Sequence, residues 1–266
     1  MKRKTQIFAV AAALVCVLAG KASAGLFTSD QKGDQLLTID PKTGAATVVG
    51  PYGGGNTGVT GLAFDLDGTL FGVDTDTDLL STIDTTTGAA TVIGDTLQEI
   101  VRSIAIDASG TLFGVDIFKD RLLTFDKTTG KGTPVGLVGF GSVFALAFDS
   151  AGTLYGADSL TKQLLTIDTI TGAGTAIASY NLPGASITGL AFGPDGNLYG
   201  IDSLATFFTI DPTTAAITTI AALGQVNYHP SALAFSPGST IPEPGTLALF
   251  GLGLAGLALA RRRRIA

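Results

Sequence analysis

Few residues in this chain could do chemistry, and they do not assemble into a reactive set. The densest acidic stretch is Asp74-Thr-Asp-Thr-Asp78, where Asp74, Asp76 and Asp78 alternate as the ligands at the start of a calcium loop do. Such a loop needs glycine at its sixth position and a bidentate carboxylate at its twelfth. Leu79 and Thr85 stand there instead. The stretch reads as a solvated turn, with a weak surface calcium site as the alternative, and no other metal or cofactor is expected. His229 is the one histidine and precedes Pro230, so any imidazole chemistry would rest on it alone. No Ser-His-Asp order can be built around it, and no catalytic residue is assigned. Cys16 is the one cysteine and sits near the N-terminus. The body therefore offers no thiolate nucleophile, no cysteine metal ligand and no disulfide. The polar and aromatic residues left for a ligand face are Glu99, Arg102, Tyr180, Asn181, Asn227, Tyr228 and His229.

What must position them is an internal repeat. Gly61-Leu-Ala-Phe-Asp65 returns as Ser103–Asp107, Ala145–Asp149, Gly189–Gly193 and Ala232–Ser236, at offsets of 42, 42, 44 and 43 residues. A second run follows each of the first four: TLFGVD (69–74), TLFGVD (111–116), TLYGAD (153–158) and NLYGID (197–202). A third reads LSTID (80–84), LLTFD (122–126), LLTID (164–168) and FFTID (207–211). Then comes a turn with Gly88, Gly130, Gly172 or Ala215, and a Thr-rich fourth run. The apolar runs are short, β-branched or aromatic, and broken by Gly, Asp, Ser and Thr, which predicts strands rather than helices. Asp67-Gly68, Ser109-Gly110 and Asp195-Gly196 are expected as hairpin turns. Four strands at this period match one blade of a β-propeller, whose units run to about 40–50 residues.

The ends of the body are complementary. Leu26-Phe27 through Asp40 aligns with Leu70-Phe71 through Asp84, so the start supplies strands two, three and four of a blade without strand one. Ala232–Ser236 supplies a strand one with no later strands. Joined, they complete a fifth blade and remove two open sheet edges. The predicted fold is all-β: a five-bladed propeller of four-stranded blades, closed by three N-terminal strands and one C-terminal strand. Repeated aspartates at 74, 116, 158 and 202, and at 40, 84, 126, 168 and 211, read as caps of strand ends. Function is sought where the repeat fails. The loops between blades, roughly 50–60, 94–102, 136–144, 179–188 and 223–231, are longer and less alike than the turns at the other end. The position two before the recurrent Leu or Ile of strand one reads Thr60, Arg102, Phe144, Thr188 and Ser231. That ring lacks the carboxylates, amides or histidine a metal-dependent hydrolase would converge there.

Charge points outward from the cell and away from nucleic acid. Between positions 25 and 240 there are 8 basic and 21 acidic residues, a net of −13, without the cationic footprint that phosphates require. The leader has a basic start (Lys2-Arg3-Lys4), an apolar run (7–18) and an Ala22-Ser23-Ala24 cleavage site. Signal peptidase cutting after Ala24 would begin the mature chain at Gly25, following export through the Sec translocon. At the other end Pro242-Glu243-Pro244 is followed by an apolar run, 246–260, and by Arg261, Arg262, Arg263 and Arg264. Fifteen helical residues span about 22 Å, short of the ~30 Å hydrocarbon core, which suits a transient anchor. The positive-inside rule would keep the arginines cytoplasmic and the body periplasmic.

This tripartite tail resembles the PEP-CTERM sorting signal of Gram-negative bacteria, with Pro242, Glu243 and Pro244 as its namesake motif. The resemblance implies recognition by an exosortase, passage through the inner membrane, removal of the tail and delivery to the cell surface or an exopolysaccharide matrix. The organisation expected is a signal peptide (1–24), a propeller (25–240) and a sorting signal (241–266). The repeat unit is also similar to the NHL and YVTN class of propellers, which includes binding scaffolds and some hydrolases and lyases, so this likeness selects no activity. The expectation is a non-enzymatic surface or matrix propeller that binds exopolysaccharide or surface proteins. The alternatives are a lactonase-like hydrolase or a lyase acting at the channel mouth, and a purely structural coat component.

Overall fold

The computed structural model describes residues 24–223 and 229–237. Strands in that range form five antiparallel four-stranded sheets. Four are continuous in sequence, spanning 59–95, 101–137, 143–179 and 187–222, and are blades 1 to 4. The fifth runs Ala234–Phe235, Leu26–Asp30, Gln35–Ile39 and Ala46–Pro51, and so unites the two ends of the body. Leu26 pairs with Phe235 and Phe27 with Ala234. Thr28 Oγ1 donates to Ala232 O at 2.6 Å, and Ser29 Oγ meets Ser231 Oγ at 2.8 Å. The inner strands pack in sequence, Val59–Phe64 on Val101–Ile106, then Val143–Phe148, Ile187–Phe192 and Ala234–Phe235, and the last returns to the first. The all-β, five-bladed, end-closed ring expected from the repeat is what forms.

Apolar residues weld each seam. Val73 and Leu80 of blade 1 share a core with Ile104, Leu112 and Leu123 of blade 2. Tilted aromatic pairs cross four seams at 5.3–5.5 Å: Phe27–Phe64, Phe113–Phe148, Tyr155–Phe192 and Tyr199–Phe235. At the fifth seam the inner-strand position is Ile106, and Phe71 lies under the Lys127 ammonium instead.

The rim distinguishes two kinds of seam. A Cβ on Gly50, Gly94 or Gly136 would lie 1.9–2.2 Å from the carbonyl oxygen of Thr87, Thr129 or Thr171 on the next blade. Glycine there lets the backbones touch, and a rim hydrogen bond forms at each: Ala90 N to Tyr52 O, Gly132 N to Thr96 O, and Gly174 N to Val138 O, at 2.8–2.9 Å. At the remaining seams the fourth-strand position is Ala178 or Ala221, and a Cβ on Gly44 would lie 2.6 Å from Ala221 Cβ. Among the described residues no such bond joins Ile217 to Tyr180 or Ala46 to Leu223.

In a meander of this kind the first-to-second and third-to-fourth turns share one end of the ring, here the turn end. The second-to-third turns and the loops between blades share the other, the loop end. Turn-end hairpins repeat closely. Asp40, Asp84, Asp126, Asp168 and Asp211 each accept N–H bonds from residues two and three ahead. The chain then passes through positive φ at Gly44, Gly88, Gly130 and Gly172, and at Ala215 (φ 56°), where a side chain makes that conformation costly.

Candidate binding site at the loop end of the channel

The loop end is built on five buried aspartates, Asp30, Asp74, Asp116, Asp158 and Asp202, at the ends of the second strands. They cap their own turns and, in three blades, also hold the loop arriving from the previous blade. Asp74 Oδ2 accepts from Thr57 N (2.6 Å) and Gly58 N (2.8 Å). Asp158 Oδ1 accepts from Ser142 N, and Asp30 Oδ1 from His229 N. Each second-to-third turn also places a non-glycine residue at φ 48–61°: Asp34, Asp78, Asp120, Lys162 and Ala205. Their carbonyls accept the N–H groups of Tyr52, Thr96, Val138, Tyr180 and Leu223. The loops are therefore pinned, and they hold the mouth in shape.

The residues singled out from sequence scatter over this end. Glu99 pairs with Lys119 at 3.0 Å, with about half its side chain in solvent, where such a pair contributes little. Asn181 and His229 are exposed. Tyr180 is a correction: it is 3% exposed and its hydroxyl donates to Asp158 O at 2.8 Å, so it is part of the framework rather than the mouth. Its place in the core follows from the loop geometry, since Tyr52, Val138 and Leu223 are buried at the same position. Asp74 has both oxygens engaged by four N–H groups, two from Asp76 and Thr77. Among the described residues no three acidic, histidine or cysteine side chains gather as metal ligands. Asn227 and Tyr228 lie outside the described residues, as do Ala22 and the leader and the tail with Pro242, Glu243, Pro244, the apolar run 246–260 and Arg261–Arg264. Ala24 and Gly25 begin the described chain.

Arg102 is the exception. It is partly buried on the innermost strand, and its guanidinium lies 4.8 Å from the centroid of Phe144 on the next blade. Among the described residues it has no carboxylate within salt-bridge reach and no hydrogen bond. Burial lowers its pKa, opposed by the charge of Asp76. A bulge in the first strands of blades 1 to 4 sets the side chains at this ring position apart from the regular alternation. At two places in the ring they stitch blades together: Thr188 Oγ1 donates to Pro230 O (2.8 Å) and Ser231 Oγ to Val59 O (3.0 Å). Thr60 Oγ1 is equally buried and makes no such bond.

Thr60 has company. Among the described residues the buried side-chain atoms without a partner are Tyr52 Oη, Thr60 Oγ1, Thr77 Oγ1, Asp78 Oδ1 and Asp116 Oδ2. All lie at the loop end, in blade 1, the loop entering it, or the adjoining blade 2. Carboxyl pKa values rise in blade 1, at Asp78, and on the neighbouring blade 5, at Asp34. Asp78 is pushed up by burial and by the charges of Asp95, Asp74, Asp116 and Glu99, and Asp34 by burial and by Asp74, Asp30 and Asp76. Sequence reasoning found Arg102 and the Asp74–Asp78 run because both depart from the repeat. It had no signal for Asp116, whose type repeats in every blade while its hydrogen bonding does not.

Below the mouth the channel is lined by the five innermost strands. Residues 62–64, 104–106, 146–148, 190–192 and 233–235 line a cavity of about 120 Å³ near the turn end. A larger hollow of about 430 Å³ lies on the turn end of blade 1, lined chiefly by the threonines at 69, 82, 85, 86 and 91. Both ends of the propeller body are also at the turn end. Gly25 N donates to Ser236 Oγ at 2.7 Å, and Ser236 N to Gly25 O at 2.8 Å.

Comparison with known proteins supports the tail and the fold. The PEP-CTERM protein-sorting motif matches residues 240–264. That match implies an exported chain sorted by an exosortase and anchored transiently in a Gram-negative membrane. No curated protein matches the chain. A chain of a nidogen/laminin complex superposes with a TM-score of 0.60 at 16% identity, covering 81% of this chain and 99% of that one. Virginiamycin B lyase from Staphylococcus aureus superposes at 0.50 with 17% identity, covering 81% and 78%. The same lyase, catalytically inactive and with quinupristin, gives 0.50, 16%, 82% and 79%. At these identities the likeness is one of fold.

Proposed function

We propose that this chain is a non-catalytic binding propeller of the cell surface or extracellular matrix, which engages a glycan or a surface protein through its loop end. The observation that carries the reading is the placement of both ends of the propeller body at the turn end, held together by Gly25 and Ser236. Eight residues, 238–245, separate the propeller from the apolar run of the sorting signal, and they can reach at most about 28 Å. Until the sorting signal is removed, this length holds the turn end within about 28 Å of the apolar run, and the attachment is at the end opposite the loop face.

Two features of the loop end favour binding. It carries the departures from the repeat, and its turns project apolar side chains into solvent at matching positions of three blades: Phe118, Leu160 and Leu204, 64–74% exposed. The test is retention of the purified mature protein on glycan arrays and on cell-surface and matrix fractions, with and without calcium. Retention that is lost when Phe118, Leu160 and Leu204 are changed together to serine is the expected result. Failure to be retained on any surface would defeat the proposal and favour a purely structural coat protein.

One observation suits an enzyme instead. A partly buried guanidinium with no carboxylate within salt-bridge reach among the described residues could stabilise a developing oxyanion in a lactonase-like or lyase-like reaction. Turnover of lactone or uronide substrates that disappears in Arg102→Ala would replace the binding reading with that one.

A further inference from the structure

We infer that the blade 1–blade 2 sector of the mouth takes a carboxylate-bearing, hydroxyl-rich ligand, a sugar acid at the end of a glycan, with Arg102 receiving the carboxylate. This deepens the binding reading above and rests on it. Three observations converge on one sector. Arg102 is a partly buried cation stacked on Phe144, with no anion within salt-bridge reach among the described residues. A guanidinium in that setting is presented as a planar fork that matches a carboxylate by paired N–H bonds. Among the described residues the buried polar atoms without partners, Thr60 Oγ1, Thr77 Oγ1, Asp78 Oδ1, Asp116 Oδ2 and Tyr52 Oη, lie in blade 1, the loop entering it and blade 2, the last of which carries Arg102. Elsewhere at the mouth the matching groups are bonded within the protein, as Thr188, Ser231 and Tyr180 are. Native proteins leave few such atoms, and a cluster of them marks where water or a ligand completes the structure.

The unsatisfied set also describes what is wanted. Asp78 and Asp116 offer acceptors, so they call for hydroxyl or water donors. Thr60, Thr77 and Tyr52 offer hydroxyls of either sense. Asp76 is exposed, with its Oδ2 against Gly58, on the side that lowers the cost of Arg102's charge. A ligand with one anionic group and several hydroxyls satisfies both halves of the set, directly at Arg102 and Asp76 and through ordered water beneath them. The acidic body, with its net of −13, opposes a long run of carboxylates near the surface. That selects an isolated or terminal acid over a polyanionic chain.

The experiment is calorimetric titration of the mature protein with trisaccharides that carry a single terminal galacturonate, glucuronate or mannuronate on two neutral sugars, each beside the wholly neutral parent trisaccharide. At least one acidic trisaccharide is expected to bind ten-fold or more tighter than its neutral parent. Arg102→Gln should remove that preference while leaving the melting temperature within about 2 °C, and Phe144→Leu should weaken binding several-fold. Equal binding of acidic and neutral sugars overturns the inference. So does acid binding that survives Arg102→Gln, or binding that appears only with calcium and is indifferent to Arg102. Retention on a neutral glycan or a protein surface with no acid preference defeats the inference but leaves the broader binding reading intact. No retention on anything defeats both.

Discussion

The sector of blades 1 and 2 and the sector of blades 3 to 5 solve opposite problems. Around blades 1 and 2 the rim is tight: Gly50, Gly94 and Gly136 allow backbone contact and a hydrogen bond across each seam. The mouth above them holds buried polar atoms with no partner. Around blades 3 to 5 the mouth is satisfied by Thr188, Ser231 and Tyr180, while the rim is looser, with Ala178 and Ala221 in place of glycine. Unpaired buried groups persist only where the surroundings over-determine them. Tight rim and unpartnered mouth atoms coincide in one sector, which is a physical reason to place the site there.

The largest effect should come from breaking a tight seam. In Gly94→Ala the new Cβ would sit 2.2 Å from Thr129 O, so the blades must part and the Gly132 N to Thr96 O bond is strained or lost. A destabilisation of about 3 kcal/mol is expected, or roughly 6–12 °C in melting temperature for a domain of this size. The counterpart, Ala221→Gly at a loose seam, should change stability by less than about 1 kcal/mol. Equal effects from the two would dissolve the distinction between the seams.

A smaller effect separates the two buried tyrosines. Tyr180 donates to Asp158 O, so Tyr180→Phe leaves that carbonyl short of one partner and should lose about 1 kcal/mol. Tyr52 is as deeply buried, and its hydroxyl has only a weak approach to Ser29 Oγ and no hydrogen bond at normal distance among the described residues. Tyr52→Phe should therefore be neutral or slightly stabilising. Urea unfolding of both variants checks this, and a Tyr52→Phe loss equal to that of Tyr180→Phe would show that the mouth of blade 1 is satisfied after all.

Much of the fold was readable because it is written several times. The five copies around Leu62, Ile104, Leu146, Leu190 and Leu233 set the period, and the partial units at Leu26 and Ala232 gave the closure. The site was less legible for a definite reason. A residue type records what a side chain can do, and a repeat records what it usually does. Asp116 has the same identity as Asp74 and Asp158, yet one of its oxygens is left without a partner because no loop N–H reaches it. Tyr180 looked like a ligand contact because aromatic loop residues often are, but its loop turns inward to fill the seam. Arg102 was visible because no other blade has a charge at that position.

The smallest expected effect tests the electrostatics directly. Asp84 and Asp211 at the turn end are held at about 2 by the hydroxyl and N–H bonds of Thr86 and Thr213, then of Thr87 and Thr214. The stability they contribute is present above the unfolded carboxyl value of about 3.9 and is lost as pH falls through about 2. Asp78 has the opposite sign. Its pKa is raised by burial and by neighbouring carboxylates, so its contribution is fully present below the unfolded value and is lost as pH rises through the folded one. At neutral pH its charge therefore works against folding. Asn tolerates the backbone at φ 57° and carries no charge, so Asp78→Asn should stabilise the protein at pH 7. Because the side chain is partly solvated, the gain should be well under about 1 kcal/mol. It should shrink toward zero by about pH 3, where Asp78 is protonated in both states. Paired urea titrations at the two pH values measure the difference, and a gain independent of pH would mean that carboxylate crowding is not what distinguishes blade 1.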